Sequence, residues 1–115
     1  MKNILRSMML AVGISAIVSA PLLSGAVFAA ANPHVSEAVE HAKDAVAHGK
    51  EKHSDACVQH AEEALKHAAA GDMKNPHVAE GIKHLKEAVS HGKAGHADAC
   101  TEHANGAVTH LSEVK

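Results

Sequence analysis

Histidine is the residue type in this chain with the most chemistry to offer, and its spacing is regular. The twelve histidines are His34, His41, His48, His53, His60, His67, His77, His84, His91, His96, His103 and His110. Within each run of three the interval is seven residues. On a helix, seven residues is nearly two turns, so each run forms a straight row with neighbours about 10.5 Å apart. Two neighbours in one row are too distant to share a metal ion, whose bonds to imidazole are about 2.0–2.1 Å. The order of the rows is mirror-symmetric about the short segments at 49–52 and 92–95. Antiparallel helices would therefore set His48 opposite His53, His41 opposite His60 and His34 opposite His67. A second seam would pair His91 with His96, His84 with His103 and His77 with His110. Six cross-seam pairs make two ladders.

Carboxylates share the face of these rows. Glu37, Asp44, Glu63, Glu80 and Glu87 each lie between histidines at helical spacing. Two imidazoles with one carboxylate suit divalent copper, nickel or zinc, with water completing the shell. The fourth helical segment has Ala99 and Gly106 at the matching places, so its side of the seam is expected to contribute nitrogen only. Cys57 and Cys100 each sit between two histidines, as His53, Cys57, His60 and His96, Cys100, His103. Three roles are open to them: small buried residues, thiolate ligands for Cu(I) or Zn(II), or a disulfide in an exported chain. A bond between Cys57 and Cys100 looks too long, because parallel helices should place them diagonally across a bundle. A disulfide between two molecules is the remaining oxidised form. A histidine-based pH- or stress-responsive bundle without metal is the competing account, since the ordinary His pKa is about 6.5.

The elements that must hold these rows come from an internal repeat. Asn32–His67 reads NPHVSEAVEHAKDAVAHGKEKHSDACVQHAEEALKH and recurs, without a gap, as NPHVAEGIKHLKEAVSHGKAGHADACTEHANGAVTH over Asn75–His110. Asn-Pro opens each copy as N-cap and first helical residue. Gly49 and Gly92 are expected as left-handed C-terminal caps. Second helices should run over about Ser54–Ala70 and Ala97–Val114. Val35, Ala38, Val39, Ala42, Ala45 and Val46 recur at bundle-helix spacing, as do Val78, Ile82, Leu85, Ala88 and Val89. The fold class is all-α: an up-down-up-down four-helix bundle made of two repeated hairpins (32–70 and 75–113).

Residues 1–31 read differently. Lys2 and Arg6 precede an apolar run that ends in Val27-Phe28-Ala29-Ala30-Ala31, the order of a secretory signal cut after Ala29 or Ala31. The domain is then 32–115, exported, with no stable membrane insertion after cleavage. All thirteen acids lie in this part, against nine lysines and no arginine. That mildly acidic balance, with no Trp or Tyr, speaks against nucleic acid as a partner. No Cys-x-x-Cys-His, Gly-rich phosphate loop or nucleophile motif occurs, so no enzyme, catalytic residue or organic cofactor is expected.

The segments HVSEAVEHAKDAVAHGKEKH (His34–His53) and HVAEGIKHLKEAVSHGKAGH (His77–His96) resemble the small metal-binding protein family of exported bacterial bundles. The likeness covers nearly all of Asn32–Leu111. It implies a periplasmic four-helix bundle that binds several divalent metals, copper most readily, with a role in metal handling or tolerance. It also implies that the twelve histidines and their neighbouring acids are the ligands. Delivery of the metal would call for a protein partner. Cys57 and Cys100 depart from the family pattern and leave metal preference and redox behaviour open.

Overall fold

A computed structural model describes residues 32–114, and the segment over 1–31 read above as a secretory signal lies outside the described residues. Four helices follow one another: α1 (Pro33–Lys50), α2 (Ser54–Ala69), α3 (Pro76–Lys93) and α4 (Ala97–Ser112). Among the described residues there is no strand. Each helix packs on its neighbours in the cyclic order α1, α2, α3, α4, and of the two diagonals α2–α4 makes the closer approach. The α1–α2 and α3–α4 seams therefore lie on opposite faces of a four-helix bundle. No helix among the described residues is long and apolar enough to cross a membrane.

The helix starts follow from the Asn-Pro pairs. Asn32 Oδ1 accepts from the His34 amide at 2.9 Å and Asn75 Oδ1 from the His77 amide at 2.8 Å, satisfying an amide that has no partner inside the helix. The helix ends differ from expectation. Gly49 and Gly92 are buried inside α1 and α3, and the left-handed residues are Lys52 (φ 68°) and Gly95 (φ 85°). The amide of Lys52 donates to Gly49 O at 2.9 Å and that of His53 to His48 O at 2.9 Å; Gly95 to Gly92 and His96 to His91 repeat both bonds at 2.9 Å. This is the Schellman pattern, displaced three residues past the glycines. α2 and α4 end slightly earlier than the sequence indicated, at Ala69 and Ser112.

Gly49 and Gly92 serve close packing instead. A Cβ on Gly92 would collide with Val58 Cγ2 and lie 3.2 Å from Cys100 Sγ, and one on Gly49 would collide with Thr101 Oγ1. The core they line is thin and built largely of alanine: Ala38, Ala42, Ala45, Ala61, Ala64, Ala68, Ala88, Ala104 and Ala107 are fully buried. Leu85, Leu111 and Val78 are the largest fully buried aliphatics. The second hairpin fits its larger Leu111 by exchange: Gly81, where the first repeat has Ala38, leaves space that a Cβ would close to 2.7 Å from Leu111.

The small residues also let α2 and α4 meet. Cys57 and Cys100 are wholly buried, with Cα atoms 6.6 Å apart, and they form a disulfide across the diagonal. Three expectations are corrected by this bond. The diagonal is not too long, because alanine and glycine fill the positions where larger side chains would hold the helices apart. The sulfurs are bonded within one chain and do not serve a bond between two molecules. Neither offers a thiolate to Cu(I) or Zn(II) in this form, and no free cysteine is present among the described residues.

Candidate metal centre

The Schellman turns bring the first pair of histidines on each seam together, since the bond that closes each turn runs between them: His53 to His48 and His96 to His91. From there the seven-residue interval carries the pairing along the seam. The ring centroids of His48–His53, His41–His60 and His34–His67 are 6.2, 5.9 and 6.3 Å apart. On the opposite face His91–His96, His84–His103 and His77–His110 are 6.1, 5.7 and 6.1 Å apart. All six cross-seam pairs expected from the sequence are thus adjacent in space.

The pairs are not isolated rungs. Diagonal partners stack more closely and flatter: His41–His67 at 5.3 Å and 6°, His48–His60 at 5.0 Å and 6°, His84–His110 at 5.3 Å and 18°, His91–His103 at 5.2 Å and 3°. Each ladder is therefore a zigzag in which every inner imidazole touches two on the facing helix. Helical rows facing each other are staggered by the pitch, which spacing along one helix does not reveal.

Carboxylates close the rungs. Glu37 Oε1 lies 3.3 Å from His67 Nδ1 and Asp44 Oδ2 3.9 Å from His60 Nδ1. In the first ladder the groups His34-Glu37-His67, His41-Glu63-His67, His41-Asp44-His60 and His48-Glu51-His53 each bring one ligand atom from each of three residues within 4.8 Å of one another. In the second, His77-His110-Glu113 does the same, with His77 Nδ1 3.2 Å from Glu113 Oε1. Glu87 lies 3.9 Å from His91 Nε2. Glu80 pairs with Lys83 at 3.0 Å, and that contact, with the nearby His110 and His84 adding to it, holds its carboxyl below the usual range.

Two acids escaped the sequence pattern. Glu51 and Glu113 are the C-cap residues of α1 and α4. They stand outside the seven-residue rows, and only their position after the last histidine of a helix hints at them. Glu113 also corrects the expectation that α4 brings nitrogen only. Gly106 remains without a side chain, and the His84 ring fills its place, 2.8 Å from where a Cβ would stand. There His84 Nδ1 and His103 Nδ1 face each other at 3.5 Å, beside a cavity of about 250 Å³ lined also by Glu80, Lys83, Lys86 and Glu87. Burial first, and then the charges of His110 and His103, push the His84 pKa down.

The fit to metal can be judged from nitrogen atoms alone. Nδ1 of His41, His48, His60 and His110 is buried without any hydrogen-bond partner, although the ring of His48 as a whole keeps 39% side-chain exposure. A buried ring nitrogen with no hydrogen-bond partner is costly, and a Lewis-acidic ion between the helices would satisfy its lone pair. Neutral imidazoles with carboxylates at this spacing suit the borderline transition metals rather than calcium or magnesium, which demand oxygen shells.

A search of curated proteins found no match for the chain. A family model described as small metal-binding protein matches residues 7–114. With that match spanning nearly the whole sequence over two ladders of imidazole and carboxylate, the chain belongs to the small metal-binding protein family.

Proposed function

We propose that the protein binds several divalent transition-metal ions in the periplasm, copper foremost and nickel and zinc as well, for metal buffering, transport or tolerance. The twelve histidines supply nitrogen, and Glu37, Asp44, Glu63, Glu80 and Glu87 supply oxygen together with Glu51 and Glu113. The observation that carries this reading is the set of inward-turned, unpartnered Nδ1 atoms on His41, His48, His60 and His110, on the seams where carboxylates converge. Export is supported by the signal-like order of residues 1–31 and by a disulfide, which belongs to oxidising compartments. We read the protein as a carrier rather than an enzyme, because its candidate ligands line two open seams along the bundle.

Each ion bridges two helices, so binding must favour the folded chain. At a free metal concentration about 100 times Kd, one site adds about 2.7 kcal/mol. Thermal unfolding followed with added Cu(II), Ni(II) or Zn(II) should move to higher temperature, and a chelator should reverse the shift. An unfolding temperature indifferent to all three ions would remove this reading. It would leave the pH-responsive bundle, which the burial of His84 beside His110 and His103 favours.

A further inference from the structure

Two histidines of the first ladder belong to more than one ligand group. His67 serves both His34-Glu37-His67 and His41-Glu63-His67, and His41 serves both the latter and His41-Asp44-His60. The middle group crosses from one rung to the next, and its two rings are closer, at 5.3 Å, than those of the rungs it joins, at 6.3 and 5.9 Å. Its carboxylate belongs to neither rung. We propose that Glu63 is a relay ligand through which a divalent metal ion moves between the His34–His67 and His41–His60 rungs without leaving the protein; this rests on the metal-binding reading above.

The movement is a sequence of ligand exchanges. An ion on the outer rung keeps His67 while His41 replaces His34 and Glu63 replaces Glu37. It then keeps His41 while His60 replaces His67 and Asp44 replaces Glu63. Every bond broken is matched by one formed, neutral imidazole enters as neutral imidazole leaves, and no electron moves. At no stage does the ion lose all its protein ligands. Without Glu63 the crossing state has two imidazoles and water alone. The place one heptad nearer the loop holds Ala56, so Glu63 has no counterpart between the His41–His60 and His48–His53 rungs. Lys66 Nζ, 3.3 Å from Glu63 Oε1, is an exposed partner that a metal would displace.

The test is Zn(II) added to the isotope-labelled chain well below one equivalent, with exchange followed on the amide signals of His34, His41, His60 and His67. A relay within one molecule gives an exchange rate independent of protein concentration. Glu63→Gln should slow that exchange about tenfold, the effect of roughly 1.4 kcal/mol on a barrier. Signals of His48 and His53 should keep their wild-type exchange. Glu62→Gln removes the same charge one residue away, from a side chain paired with Lys93 at 2.9 Å, and should leave the rate as it is. A rate that scales with protein concentration, or equal rates in Glu63→Gln and wild type, or equal slowing by both substitutions, would overturn the relay while leaving metal binding intact. Failure of the chain to bind Zn(II) at all would sink both.

Discussion

His84 shows how one imidazole ties stability to pH. Burial and two neighbouring imidazoles hold its pKa below the ordinary histidine value of 6.5, so between 6.5 and the lowered folded value the unfolded chain binds more protons. The contribution of His84 to metal-free stability then falls as pH drops below 6.5. Glu80, lowered from 4.5, adds stability present above 4.5 that is lost as pH falls through its folded value. Urea midpoints measured between about pH 7.5 and about pH 5.5 should decline for the wild type and decline less for His84→Gln. A second residue-scale effect is steric. Gly92→Ala would press a methyl against Val58 and Cys100 and should cost about 1–3 kcal/mol in chemical denaturation. The histidine positions were legible because a period of seven is a statement about one helix face. The role of Gly92 was not, since glycine after a histidine at a helix end also reads as a cap, and only the facing volumes tell the two apart.

At the scale of the element, the two Schellman turns set the pairing of both ladders, and they do so with different residues. Gly95 takes φ 85° with open space around it, whereas Lys52 holds φ 68°. Left-handed backbone costs a side-chain-bearing residue about 1–2 kcal/mol. Gly95→Ala should therefore destabilise by about 1 kcal/mol and Lys52→Gly should stabilise by up to about 1 kcal/mol. The loss of the exposed Lys52–Asp98 pair subtracts little from the second effect. Equilibrium unfolding of both variants checks the opposite signs. The helices themselves were read from capping residues and apolar period. The zigzag of the rings was not, because stagger between helices depends on the turn that joins them.

For the whole molecule, the disulfide ties the two hairpins across the α2–α4 diagonal, closing a loop with a sequence separation of 43. In the chain-entropy account a loop of that size is worth about 4 kcal/mol, a large share of the 5–15 kcal/mol typical of folded domains. Replacing both Cys57 and Cys100 with Ala should lower stability by up to that amount, and saturating metal should recover part of it, both readable by thermal unfolding. The four-helix architecture was legible from the repeat. The diagonal contact was not, because it depends on a core of alanine and glycine thin enough for two non-adjacent helices to touch, and apolar period records position without volume.

Metal binding across the seams, as proposed above, requires both histidines of a pair. Native mass spectrometry of the chain titrated with Cu(II), beside variants in which His41 and His60, or His84 and His103, are both changed to Ala, tests it most directly. Several ions per chain are expected, with capacity reduced on each paired substitution and reduced further when both pairs are removed. Capacity that is unchanged by removing either pair, or no greater than that of a chain with its histidines placed out of register, would contradict it.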